Sequence, residues 1–495
     1  MNRDKSSTGT KKVLLNSSFY IFSALLVDAI GFFLLPVYLI FLNAEEYGTV
    51  SIANGFTDVA VIIAALSLHM AIARFYADYQ EDKEKVATYF GSILLFTLVT
   101  SLLFSCLCFV ARPLLERFVF SGIPFYPVIF LVIVSLPFRA LRNIHRFILR
   151  GMQSGGELAL VNLIVFVLQA GLTLLMIGPM KLGAEGMLLA TLIVHAAYTV
   201  FLYVDLRIKG LIKLRLSSEM VKESLKYSVP IMPHNLSSYI ATLFSRVLLN
   251  GFFGTATVGL FSVANQFGIV VDTIESSSNN ALTPWFFDFK NNSDGNTTTI
   301  RSLAKAFVVF FGFCLLGLGL FSKEIIILLT KPEYLNAWKV IPVIVVAYGF
   351  KAIYYFYLNV LLYYKEASKR LFIGTVAGNL INVVVAAALT PLMGMYGPAV
   401  ALIAAQLFIA IYVYIVSRRY DSDSFLLKQI LLPLAFALLL MVIGDLPSYM
   451  LFSEHLSLVD FVIKAALLLA YMAFCYFTNK NEIQILVQKL RKRNL

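Results

Sequence analysis

The sequence predicts an all-α integral membrane protein of about 14 transmembrane helices, arranged as two six-helix repeats with two extra helices at the C-terminal end. Three observations carry that prediction. Hydrophobic residues make up 59% of the chain and charged residues only 14%, against about 25% charged in an ordinary soluble domain. Apolar runs of about 20 residues, the length that crosses a bilayer, recur from one end to the other. Finally, Gly48 to Phe56, Gly-Thr-Val-Ser-Ile-Ala-Asn-Gly-Phe, returns as Gly259 to Phe267, Gly-Leu-Phe-Ser-Val-Ala-Asn-Gln-Phe. The same shift of 211 pairs Gly183 with Gly394, Gly186 with Gly397, Ala190 with Ala401 and Tyr203 with Tyr414, which is the mark of a doubled unit.

Polar or Gly/Pro breaks delimit the runs at 14–42, 47–74, 86–110, 124–149, 157–177, 185–206, 228–252, 256–284, 301–321, 338–364, 370–390, 395–416, 425–444 and 457–478. The first run is too long for a signal-peptide core and lacks a small-residue cleavage site, so it is expected to stay as the first span. Basic residues test the count, because cytoplasmic connections carry excess Lys and Arg. In chain order, alternate connections hold Arg3, Lys5, Lys11 and Lys12; Arg74, Lys83 and Lys85; Arg139, Arg142, Arg146 and Arg150; six from Arg207 to Lys226; Lys290, Arg301 and Lys305; Lys365, Lys369 and Arg370; Arg418, Arg419 and Lys428; and five from Lys480 onward. The opposite side holds only Arg112, Arg117, Lys181, Lys323, Lys331 and Lys339 of the 40, and Arg246, Lys351 and Lys464 fall within spans. Both termini are therefore expected in the cytoplasm, with the chain multi-pass in a plasma membrane. The net charge of +12 follows from the same bias and calls for no nucleic-acid partner.

The repeat carries span 1 onto span 7 and span 6 onto span 12, giving lobes at 1–210 and 211–420, with 421–495 as an addition holding spans 13 and 14 and a basic tail. Six is even, so the lobes share one orientation and are expected to be related by an axis along the membrane normal. In the tail, Ile483, Leu486, Val487 and Leu490 share one helical face against Lys489 and Arg491 to Arg493, which predicts a short helix lying on the inner leaflet.

Enzyme and metal signatures are sparse. Cys106, Cys108, Cys314 and Cys475 all sit in apolar runs, the five histidines form no i,i+4 pair, and no metal site is expected. Asp421-Ser422-Asp423 matches the short metal-nucleotide pattern of glycosyltransferases but lies in a brief cytoplasmic connection, and no phosphate-binding Gly-x-x-x-x-Gly-Lys loop occurs. Energy would then come from an ion gradient, Na+ or H+, or from the substrate gradient itself, with no cofactor.

Charges within spans are the candidate functional residues. Each costs about 2.5 to 3.5 kcal/mol at the bilayer centre and usually lines a wet cavity or pairs across the bundle. Asp28, Asp58, Asp272 and Glu275 are candidates for ion coupling. Lys351 and Arg246 could meet an anionic substrate, or each could belong to a structural ion pair. Arg139, Arg142, Arg146 and Arg150 follow spacings that place them on one face of span 4 with Asn143 beside them. Such a stripe suits phosphate, which guanidinium binds in bidentate fashion, or simple anchoring to lipid headgroups.

Over nearly its whole length the chain resembles the bacterial polysaccharide exporters of the O-antigen flippase (Wzx) type, in the superfamily that includes MATE drug exporters and lipid II flippases. The resemblance is carried by Leu35-Pro36 and Glu46-Tyr47-Gly48, by Leu66 to Arg74-Phe75, and by Leu225-Lys226-Tyr227-Ser228-Val229-Pro230-Ile231-Met232-Pro233. Gly259 to Ala264, Asn379, Asn382 and Pro391 to Gly397 continue it. The chain departs from the pattern at Ser245-Arg246, where Asp-Arg is common, and at Gly397-Pro398-Ala399. The resemblance implies a MATE-like fold and movement of an undecaprenyl-diphosphate-linked oligosaccharide, an O-antigen or capsule repeat, from the inner to the outer leaflet of the bacterial plasma membrane by alternating access. Arg74, Arg139, Arg142, Arg146, Arg246 and Lys351 would receive diphosphate or sugar, and Pro36, Pro230 and Pro233 would loosen helices where the lobes rock. Partners would be the glycolipid, membrane lipids, and the polymerase and glycosyltransferases of the same pathway. Two alternatives stand beside it: an ion-coupled small-molecule exporter of the MATE kind, and a membrane polymerase or acyltransferase drawing on His69, His195 or His234.

Overall fold

The computed structural model describes Phe32 and residues 34–292, 297–452 and 455–493. All regular structure among them is helical: α1 (residues 34–41), α2 (Ala44–Ala64), α3 (His69–Tyr79), α4 (Lys83–Val110), α5 (Arg112–Phe118), α6 (Phe130–Gly151), α7 (Gly155–Ile177), α8 (Gly183–Ile208), α9 (Ser218–Phe253) and α10 (Thr255–Asn292). Then follow α11 (Thr298–Leu320), α12 (Ser322–Leu329), α13 (Ile341–Tyr363), α14 (Lys365–Met393), α15 (Tyr396–Ser417), α16 (Leu427–Met450) and α17 (Leu458–Arg493). Among the described residues 12 helices are long and apolar enough to cross a membrane, and they coincide with twelve of the fourteen predicted spans. Most of the first span, including Asp28, lies outside the described residues. The seventh forms α9 but is too polar to meet that standard, for Pro230, Pro233, His234, Asn235, Ser237 and Ser238 crowd its middle.

The chain forms two compact units, residues 1–259 and 260–495. In the first, α6 is the central helix, packed on α2, α3, α4 and α8, and α9 packs on α2, α3 and α4. Its core gathers Tyr89, Phe90, Ile144, Ile148 and Leu202. In the second, α15 packs on α13 and α14, α11 on α13 and α16, and α16 on α17, around Phe286, Phe311, Phe356, Tyr357 and Phe425. Large apolar side chains such as Leu103, Leu107 and Val110 on α4 stand exposed, as expected of helices that face lipid.

Repeat-matched glycines do matched jobs. Gly183 and Gly394 take left-handed backbone, φ +54° and +58°, at the turns before α8 and α15, a conformation costly for other residues. Local signals also explain Glu46-Tyr47-Gly48: Asn43 accepts the Glu46 N–H at 2.8 Å and Glu46 accepts the Asn43 N–H at 2.9 Å, a capping box that starts α2.

Two expectations need correction. The second predicted span is not one helix: Leu66 and Ser67 adopt φ +47° and +53° and separate α2 from α3, and the Leu66 carbonyl accepts the Ser228 hydroxyl of α9 at 3.0 Å. The tail helix is not a separate element, because α17 runs unbroken to Arg493. Lys323, on the connection between α11 and α13, is fully buried, as is Lys464 of α17. Lys323 pairs with Asp460, Lys464 with Glu324 at 2.7 Å, and Ser448 donates to Asp460 at 2.8 Å. This network fastens α16 and α17 to α12.

Candidate functional site

The arginine stripe opens into a cavity. Arg139, Arg142, Arg146 and Asn143 of α6 line a space of about 210 Å³ with Asp58, Val61 and Ile62 of α2, His195 of α8 and Tyr239 of α9. Helical spacing aims the three guanidiniums the same way, while Leu141, Ile144 and Ile148 on the opposite face enter the core. Three guanidiniums against one carboxylate leave the lining net positive. In a low-dielectric setting that crowding is unfavourable until an anion enters.

Arg142 and Arg139 are held in place. The Arg142 Nη1 donates to His195 Nε2 at 2.9 Å, and His195 Nδ1 donates to the Thr191 carbonyl at 2.8 Å; these partners assign a neutral ring with its lone pair on Nε2. The Arg142 guanidinium also lies 5.6 Å from the Tyr198 ring centre, a cation–π distance. Its Nε is buried and makes no hydrogen bond. Arg139 donates to Asn54 Oδ1 at 3.4 Å. Asp58 is exposed within the cavity, in the field of Arg139 and Arg246. Behind the arginines, His145 is fully buried, 2.8 Å from the Tyr198 hydroxyl and 3.7 Å from Asp205.

Arg246 approaches α2 from α9: its Nη1 donates to the Ser51 carbonyl at 3.3 Å, and a Cβ on Gly55 would stand 2.8 Å from it. Arg74 lies apart on α3, exposed and 3.9 Å from Asp78. Arg150 also leaves the stripe, exposed and stacked on Phe147 at 5.1 Å. Pro36 falls in α1, and Pro230 and Pro233 lie inside α9, where each removes a backbone donor.

In the second unit Lys351 of α13 is 2.7 Å from Asp272 of α10, which also accepts the Tyr355 hydroxyl at 3.0 Å. Lys351 is thus one half of an ion pair. Glu275, one turn from Asp272, is 1% exposed and both of its carboxyl oxygens lack hydrogen bonds.

The Asp421-Ser422-Asp423 segment is structural. Asp421 accepts Lys290 Nζ at 2.7 Å, the Ser424 hydroxyl at 2.5 Å and the backbone N–H groups of Asp423 and Ser424 at 3.0 Å. Burial alone would raise its pKa, but these donors outweigh burial and hold the carboxyl below its usual range.

Sequence reasoning missed Tyr198 and Tyr239, and considered His195 only among the histidines available to the polymerase or acyltransferase alternative. A faint signal existed: Thr191, His195 and Thr199 repeat every four residues along α8, marking a polar face on an apolar helix.

The fold is shared with solved membrane transporters and a flippase. A solved structure titled lipid II flippase MurJ, in an inward closed conformation, matches with a TM-score of 0.66 and 16% identity over 95% of this chain and 98% of that one. A multidrug-resistance MATE transporter in inward-facing form matches at 0.60 and 17%, over 81% and 94%, and an outward-facing one at 0.58 and 16%, over 83% and 95%. The chain belongs to the polysaccharide biosynthesis protein family, whose model matches residues 13–290. No curated protein matches the sequence significantly.

Proposed function

We propose that this protein is a flippase that moves an undecaprenyl-diphosphate-linked oligosaccharide, an O-antigen or capsule repeat unit, from the inner to the outer leaflet of the bacterial plasma membrane by alternating access. One observation carries the reading: Arg139, Arg142 and Arg146 converge on a single cavity with one carboxylate among them. Guanidinium keeps its charge at any physiological pH and matches phosphate geometry in bidentate fashion, so the lining suits a diphosphate. Membership in a polysaccharide-biosynthesis family supports a glycan on that diphosphate. At about 210 Å³ the cavity has room for a headgroup rather than an oligosaccharide, so the sugars would lie beyond it when the diphosphate is seated.

The basic bias of alternate connections supports an arrangement with both termini in the cytoplasm, which puts the arginines on the side where the glycolipid is made. The pathway's polymerase and glycosyltransferases would work beside it. Coupling to Na+ or H+ would use Glu275, whose buried carboxyl without hydrogen bonds would be tolerated in a membrane helix when it holds a proton or a cation, whereas Asp272 is engaged by Lys351 and Tyr355. A drug exporter would share the fold, but its cationic substrates would meet three guanidiniums. Acyl transfer through His195 is disfavoured because both ring nitrogens are engaged.

The test is glycan display in cells deprived of their own flippase. Charge reversal at Arg142 with Arg146 should abolish display, while the same change at Arg418 with Arg419 should leave it largely intact. Equal effects would return the stripe to lipid anchoring.

A further inference from the structure

A second cavity, of about 580 Å³, lies between α7 and α8 and has the opposite chemistry. Its walls are hydrocarbon: Leu168, Leu172 and Leu175 from α7 face Ile193 and Phe201 from α8. Gly171 forms part of the lining, and a Cβ there would meet nothing within 4 Å. Gln169 bridges the two helices, its Nε2 donating to the Thr191 and Thr173 hydroxyls at 3.1 Å each.

Tyr198 joins the two cavities. Its ring lines the apolar groove, and the same ring carries the Arg142 guanidinium, which lines the cationic cavity. One aromatic side chain therefore separates a hydrocarbon trough from a phosphate-suited pocket.

We propose that the α7–α8 groove holds the isoprenoid chain of the lipid whose diphosphate sits among Arg139, Arg142 and Arg146. This rests on the function proposed above and specifies where the tail goes. Depth supports it. Arg142 lies nine residues before the end of α6, Tyr198 ten before the end of α8, and Val161 six after the start of α7, all within about 9 to 15 Å of the same end of the unit. Head site and groove mouth are thus level. Length supports it too: Val161 to Leu175 spans about 21 Å, more than the ~15 Å of one leaflet's hydrocarbon. A phospholipid acyl chain that ends near the midplane would leave part of the groove unfilled, whereas a long isoprenoid would run its whole length. Because lipid tails are as apolar as leucine, the groove adds little hydrophobic affinity. Its contribution is selection by shape and placement of the headgroup at the arginines.

The experiment uses the full chain in nanodiscs with a polyprenyl diphosphate bearing a photoreactive diazirine in its chain. Label should map to Leu168–Leu175 and Ile193–Phe201, be competed by unlabelled polyprenyl diphosphate, and resist the same excess of phosphatidylglycerol. Gly171→Trp, which fills open space, should lose that label, and Gly171→Leu should lower it should the larger residue disturb folding. Equal competition by phosphatidylglycerol, or label elsewhere while native mass spectrometry still shows polyprenyl diphosphate bound, would overturn the tail site and leave the flippase reading standing. Absence of polyprenyl diphosphate binding altogether would overturn that reading as well.

Discussion

Gly48 and Gly259, equivalent residues of the two repeats, pack against each other backbone to backbone. A Cβ on Gly48 would run into the Thr255 carbonyl and stand 2.9 Å from the Gly259 amide, and a Cβ on Gly259 would run into the Ala44 carbonyl and stand 3.2 Å from the Gly48 amide. The obstacles are main chain, which cannot rotate aside. Close approach of small residues is how membrane helices associate without a hydrophobic driving force, so the glycines at both positions serve one contact.

Gly48→Ala and Gly259→Ala should each destabilise the protein by about 1 to 3 kcal/mol, the usual cost of overpacking. Gly156→Ala is the control, since its Cβ would meet nothing within 4 Å. Thermal unfolding in detergent checks this; a Gly48→Ala variant as stable as wild type would show that the contact is not close.

The Lys351 and Asp272 pair should appear as coupling. Both side chains are less than a third exposed, so removing one leaves the other's charge poorly solvated. Lys351→Ala should destabilise more than the Lys351→Ala, Asp272→Ala double variant would suggest by addition, with a coupling of about 0.5 to 3 kcal/mol. The double variant should still display glycan. Additive losses, or lost display in a well-folded double variant, would restore Lys351 as a direct ligand of the substrate.

Asp421 makes stability depend on acid. Its folded carboxyl is held below the ordinary value despite burial, by Lys290, Ser424 and two backbone donors, so the unfolded chain binds the proton more readily. The stabilisation is full above about pH 4, the unfolded carboxyl range, and is lost as pH falls through the lower folded value. Melting curves of wild type and Asp421→Asn should therefore differ by a constant amount from neutrality to about pH 5 and converge below about pH 4. A difference that grows on acidification would contradict the assignment.

Much of this was readable because it depends on spacing. The repeat announced itself through glycines at matched positions, and Arg139, Arg142 and Arg146 converge because intervals of three and four keep a helix face. Pairing across long separations was not readable: nothing local joins Lys351 to Asp272, or Lys323 to Asp460. The break at Leu66-Ser67 left no Gly or Pro to mark it, and Tyr198, His195 and Tyr239 carry no charge to distinguish them in an apolar helix. Arg74 has the same chemistry as the cavity arginines, yet its position on α3 leaves it exposed beside Asp78.

The most direct measurement is translocation in proteoliposomes of a polyprenyl-diphosphate oligosaccharide whose sugar carries a fluorophore, read by the fraction shielded from a membrane-impermeant quencher. Wild-type protein should move the lipid between leaflets, and Arg142→Ala with Arg146→Ala should abolish movement while the melting temperature is retained. Equal translocation by wild type and a folded double variant would contradict a diphosphate site in the arginine-lined cavity.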